Sequence, residues 1–160
     1  MIKRKRKFSS SLVLVCDNIR SLQNVGSFFR TSDAFAVDKI YLCGYTGVPP
    51  VKEISKTALG AEEWVPWEKC SHTWRCIDKL KKEGYAIIAL EKTARSEDIN
   101  MFRPQFPVAL VVGNEVKGVS RALLKKADHV VHIPMHGEKE SLNVSVAFGV
   151  AAAKITEYRK

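Results

Sequence analysis

"HVVHIPMHGEKESLNVSVAFGVAAAKI", residues 129–155, joins two apolar stretches through a polar loop. The first, His129 to Pro134, is short and β-branched, which reads as a strand. The second, from Ser141 to the chain end, is long enough for a closing helix. Its predicted first turn is Ser-Leu-Asn-Val-Ser, with polar Ser141 and Asn143 between apolar neighbours. A cap accounts for one such residue at a helix start, not for both. A strand, a loop holding His136, Gly137 and Glu138, and a helix with a polar opening form a unit of an α/β fold.

The same alternation extends towards the N-terminus. "LVLVC" (12–16), "KIYLCG" (39–44), "YAIIAL" (85–90) and "VALVVG" (108–113) are Val-, Ile- and Leu-rich and barely alternate. That pattern suits strands covered on both faces, as in a parallel sheet with helices on each side. Helices are predicted over "NVGSFFRTSDAFA", over "HTWRCIDKLKKEG", which ends on a glycine, and over "SRALLKKA", which opens on Ser120.

The chain has 160 residues, 46% of them hydrophobic, and a formal net charge of +9. This length and composition favour one domain with a real core, residues 11–160, behind a basic tail, residues 1–10. No apolar run approaches the roughly 20 residues that span a bilayer. The tail, with Lys3, Arg4, Lys5, Arg6 and Lys7, lacks the apolar core of a secretory signal. Its charge favours a polyanionic partner, nucleic acid before membrane. Cys16 and Cys43 sit in apolar runs and read as core. Cys70, His72 and Cys76 are close together, but no second ligand pair accompanies them. No metal is therefore expected, and the free thiols suit a reducing, cytoplasmic setting.

Ligands of open α/β sheets sit beyond the carboxyl ends of the strands. The loops there are "DNIRSLQNVG", "LEKTARSED", "GNEVKGVS" and "MHGEKESLN". The first has Gly26 alone, so the glycine-rich dinucleotide turn is missing. No Walker A motif, zincin histidine pair or nucleophile elbow appears either. What remains is a polar set: Asn24, Arg30, Asn114, Glu115, Ser141 and Asn143. Taken singly, Asn24 and Ser141 read as helix caps, Asn143 as a first-turn residue, Arg30 as an ion-pair partner and Glu115 as a solvated carboxylate. Their shared placement on carboxyl-end loops argues for a site.

Three segments carry a family resemblance: "NVGSFFRTSDAFAVDKIYLCG", "LVVGNEVKGVS" and "IPMHGEKESLNVSVAFGVAAA". In order and spacing they resemble the three motifs of the SpoU/TrmH family of SPOUT-class RNA methyltransferases. The resemblance implies S-adenosylmethionine-dependent methylation of a ribose 2′-hydroxyl of RNA. It implies a parallel-sheet fold with a C-terminal trefoil knot and a homodimer with the active site at the subunit interface. Carried onto this sequence, it makes Arg30 the catalytic arginine, helped by Asn24, Glu115, Ser141 and Asn143. Leu90, Glu91, Gly113, Ile133, Met135 and Leu142 would hold the cofactor. RNA would contact the basic tail together with Arg20, Lys117 and Arg121. Transfer RNA is favoured over ribosomal RNA, because only the tail accompanies the motif-bearing region. Ala36 stands where relatives commonly have glycine, which reads as a packing detail. A catalytically silent RNA-binding protein of the same fold is the competing reading. Retention of all five polar site residues argues against it.

Overall fold

The computed structural model describes residues 7–160. Lys3, Arg4, Lys5 and Arg6 of the basic tail lie outside the described residues. Strands β1 (Leu12–Asp17), β2 (Lys39–Cys43), β3 (Trp67–Cys70), β4 (Ala86–Leu90), β5 (Glu97–Asp98), β6 (Val108–Val112) and β7 (His129–His132) form one sheet. Its order is β3-β2-β1-β6-β4-β7-β5, and every pairing is parallel. The helices are α1 (Leu22–Ala34), α2 (Lys52–Ala58), α3 (Thr73–Lys82), α4 (Arg121–Lys126) and α5 (Val144–Thr156).

Successive strand residues point to opposite faces, and both faces are covered. Leu12, Leu14, Leu42, Leu110 and Val112 meet α1, α2 and α5 through Phe28, Ile54 and Phe148. Val13, Val15, Tyr41, Ala109 and Val111 meet α3 and α4 through Ile77, Leu80 and Leu123. Phe28 and Phe148 pack edge-to-face at 5.6 Å, tying α1 to α5. This is why strands β1, β2, β4 and β6 are apolar at nearly every position.

Several expectations are corrected. Gly26 is a buried residue of α1, not a loop glycine. A side chain there would collide with Thr57 and the Ile54 carbonyl, so Gly26 permits the close α1–α2 crossing. Ser21 caps α1 by accepting from the Asn24 amide, so Asn24 is not the cap. Helix α5 starts later than predicted. Asn143 is its N-cap, and Ser141 and Leu142 precede it. Ala36 has φ +49°, so glycine suits that position for backbone rather than packing reasons. Strands β3 and β5 and helix α2 were not foreseen.

At the N-terminal side, Phe8–Ser10 form a 3-10 turn. The Phe8 ring packs on Tyr85 at 5.3 Å, and the Ser10 carbonyl accepts from Arg159 Nε at 2.9 Å. Among the described residues, no helix is long and apolar enough to cross a membrane.

Candidate active site at the carboxyl ends of the strands

A cavity of about 550 Å³ opens beyond the ends of β4, β6 and β7. Leu90 and Glu91 reach it from the end of β4, Gly113 from β6, Ile133 and Met135 from β7, and Leu142 from the segment before α5. All six residues expected to hold the cofactor thus line one space. Glu115, Lys117, Ser141 and Asn143 line it too.

The loop after β6 folds tightly. The Asn114 carbonyl accepts from the Gly118 amide at 2.8 Å, and Asn114 Oδ1 accepts from the amides of Val116 and Lys117, both at 2.9 Å. Gly113 has no room for a side chain, because a Cβ would meet the backbone of Gly118 and Val119. Gly118 has φ +66° and lies under the Glu91 carboxylate. Glu91 bridges two walls: its carboxylate accepts from Val119 N at 2.9 Å and Lys92 N at 3.0 Å.

A polar relay joins this cavity to α1. Glu115 accepts from the Arg20 amide at 2.9 Å, the Ser21 amide at 3.0 Å and Asn24 Nδ2 at 2.9 Å. Burial alone would raise the Glu115 pKa, but these donors outweigh it and hold the carboxyl below its ordinary value. Asn24 Oδ1 in turn accepts from Asn143 Nδ2 at 3.1 Å. Asn143 Oδ1 caps α5 by accepting from the Ser145 amide at 2.9 Å. Three distant segments, near residues 20, 115 and 143, are therefore held by one network. Its members are an acid and two amides, which both donate and accept.

Arg30 is not in that cavity. It is exposed and lines a second groove of about 600 Å³ between α1 and α5, with Ser27, Thr31, Ser145, Val146 and Val150. So α5 serves two spaces: Val144 and Ala147 face the first, while Ser145, Val146, Gly149 and Val150 face the second. Of the expected RNA contacts that are described, Lys7, Arg20, Lys117 and Arg121 are all exposed. Lys117 alone among them lines the cavity.

Asn114 was legible as a polar loop residue, but its structural part was not. It is 7% exposed, and its Nδ2 donates to the Asn18 carbonyl and to Tyr45 Oη, both at 2.8 Å. Lys92, Thr93, Val116 and Val119 also line the cavity; they lie in the carboxyl-end loops but were not singled out within them.

A sequence model of the SpoU rRNA methylase family matches residues 11–153. The chain belongs to that family. A relative from Staphylococcus haemolyticus, assigned to the TrmH family of tRNA/rRNA methyltransferases, is 32% identical over 98% of this chain and 62% of its own length. The chain thus spans about three fifths of that relative. The Aquifex aeolicus TrmH/SpoU tRNA-modifying enzyme superposes with a TM-score of 0.85 at 32% identity, covering 97% of this chain and 77% of that one. An AdoMet-bound rRNA methyltransferase from Sinorhizobium meliloti also superposes at 0.85, with 27% identity over 91% of this chain and 56% of that one.

Proposed function

We propose that this chain transfers a methyl group from S-adenosylmethionine to a ribose 2′-hydroxyl of RNA, with transfer RNA favoured over ribosomal RNA. The observation that carries the reading is the convergence of Leu90, Glu91, Gly113, Ile133, Met135 and Leu142 on one cavity of about 550 Å³. That volume suits a nucleoside-sized ligand. Apolar Leu90, Ile133 and Leu142 suit an adenine ring, and the polar loop backbone suits its edges. The cofactor, when bound, supplies a sulfonium-activated methyl group. The protein's own task is then to place the hydroxyl and ease loss of its proton.

Arg30 is the residue proposed for that task. A guanidinium stays protonated in proteins, so it cannot serve unaided as a base. Its fork can clamp a substrate phosphate and place positive charge beside the developing alkoxide. The relay from Glu115 through Asn24 to Asn143 orders α1, which carries Arg30, against the cavity loops. Ser141, on the cavity wall, is proposed to contact the ribose.

Arg30 opens on a different groove from the cofactor cavity of its own chain, and this supports a homodimer. Helix α5 is apolar on most sides, yet Val146 is 51% and Val150 36% exposed beside Arg30. An apolar helix face of this kind calls for a partner. A second copy seated there would bring Arg30 towards the partner's cavity. The trefoil knot and the division into a basic tail, residues 1–10, and a methyltransferase domain, residues 11–160, belong to the same proposal.

The test is transfer of labelled methyl from S-adenosylmethionine to unmodified tRNA and rRNA transcripts, followed by nucleoside digestion. Label is expected in a 2′-O-methylated nucleoside. Arg30→Ala should lower turnover by about 100-fold or more, the scale of losing a charge-stabilising donor, with cofactor affinity retained. Arg30→Lys should also be impaired. A near-normal rate in Arg30→Lys would sink the clamp geometry. Absence of cofactor binding by the intact chain would favour the silent RNA-binding protein.

A further inference from the structure

Cys43, Cys70 and Cys76 take no part in the site above, yet the fold brings them together. Cys43 ends β2 and Cys70 ends β3, and the two are register partners. Cys76 comes from α3, which lies across the same face. All three are free thiols, and their sulfur atoms all lie within 4.8 Å of one another. In a tetrahedral thiolate site with metal–sulfur bonds of about 2.3 Å, the sulfurs stand roughly 3.8 Å apart. Closing that gap requires an adjustment of about 1 Å or less, within the reach of side-chain torsions.

We propose that Cys43, Cys70 and Cys76 form a three-thiolate site for a thiophilic divalent cation of the zinc class. Cys43 and Cys76 are buried, while Cys70 is partly exposed. That asymmetry gives the ion a way in and leaves the fourth position towards solvent. Exposed His72, two residues after Cys70, is stacked on Trp74 at 6.2 Å. The reaction is ligand exchange without redox change. One divalent cation enters, three thiol protons leave, and a site of net charge −1 remains in a chain of formal charge +9.

The site would staple one edge of the sheet. Strand β3 is an edge strand of four residues. The metal would tie it to β2 and to α3, beside the Gly44–Thr46 turn. That turn carries Tyr45, whose hydroxyl accepts from Asn114 in the cavity loop. A bound ion would therefore stiffen one support of the candidate active site without touching it.

The experiment uses the full chain, reduced and free of RNA, titrated with cadmium alone and again after loading with zinc. One equivalent should bind with a thiolate-to-metal charge-transfer band, release of three protons and a rise in melting temperature. Prior loading with zinc should delay the band until cadmium, the softer ion, displaces it. Cys70→Ser and Cys76→Ser should each weaken binding by at least about tenfold, the scale of losing one ligand's support. Cys16→Ala should keep it. Because Cys76 is buried and its variant could fail to fold, the partly exposed Cys70 carries the decisive comparison, with circular dichroism checking the fold. No stoichiometric band in the reduced protein, or an equal band in Cys70→Ser, would overturn the proposal. So would a Cys70–Cys76 disulfide that persists under reducing conditions.

Discussion

Along one edge of the sheet, strands β1, β2 and β3 end against side chains, whereas β4, β6 and β7 end at a cavity. On the closed side, the buried Asp17 carboxylate accepts from Thr73 Oγ1 at 2.5 Å. Thr46 Oγ1 donates to the Cys43 carbonyl at 2.6 Å and accepts from the Ile19 amide at 3.0 Å. Lys69 Nζ donates to the carbonyls of Gly44 and Thr46, both at 2.6 Å. On the open side, the backbone turns tightly over Gly113 and Gly118, and Glu91 ties the walls together. Asn114 spans the two sides. The difference teaches that carboxyl-end position alone does not make a site. The strand ends must also be left unfilled, and here one half braces the other.

The sharpest way to break this contrast is to fill the open half. Gly113→Ala places a methyl group against the Gly118 and Val119 backbone. It should cost about 1–3 kcal/mol of stability and cut cofactor affinity more than any closed-half change, as calorimetric titration would measure. Wild-type affinity in that variant would mean that the cavity does not hold the cofactor.

Val150→Asp tests the outer face of α5 without touching the cavity. It should convert a dimer to a monomer in sedimentation and lower turnover by roughly tenfold or more, since a charge in a buried interface costs several kcal/mol. Cofactor binding should change less than turnover. A monomeric wild type would remove the partner from the proposal.

Glu115→Gln weakens the brace between the halves. The loss should be about 1–2 kcal/mol, the range for hydrogen bonds to a charged group once partial replacement is allowed. The pH dependence has a definite sign. The folded pKa of Glu115 lies below its ordinary value of 4.5. Its contribution is therefore present above that value and is lost as pH falls through the lower, folded one. Urea midpoints followed from neutral pH into that acid range should fall less steeply in Glu115→Gln than in the wild type.

The smallest effect expected lies away from both halves. Ala36 has φ +49°, a conformation that costs an L-residue about 1–2 kcal/mol. Glycine gives back part of that gain in the unfolded chain. Ala36→Gly should raise stability by up to about 1 kcal/mol and leave cofactor binding unchanged. A lower melting temperature would show the left-handed backbone to be unstrained.

Legibility followed the same physics. Strands β1, β2, β4 and β6 were visible because burial on both faces makes their sequences almost continuously apolar, and β7 through its Val130–Val131 pair. The strand Trp67–Cys70 is at an edge, partly exposed and interrupted by Glu68 and Lys69, so it left no such trace. The strand Glu97–Asp98 is two polar residues long. Helix α2 spans only seven residues and stops at Leu59 with φ 50°, too short for a periodic signal. The site loops were legible through their Asn, Glu and Gly residues, and the six expected cofactor contacts do share one cavity. The separation of Arg30 from them was not legible, because it depends on which side of α5 each residue faces.

The sequence by itself determined the alternation of strands and helices, the two-sided burial of the sheet, the basic charge and the polar loops that carry the family's motifs. These are local properties, written in apolar runs, turn residues and spacing. Only the tertiary structure decided that Glu115, Asn24 and Asn143 form one network, that Arg30 faces a groove of its own, and that Cys43 joins Cys70 and Cys76. The network and the Arg30 groove depend on parallel strands whose order in the sheet differs from their order in the chain, and the thiol cluster on the parallel pairing of β2 with β3. The contact between residues 24 and 143 arises from that rearrangement, and the contact between 43 and 76 from the pairing of β2 with β3; neither has a signature in local spacing.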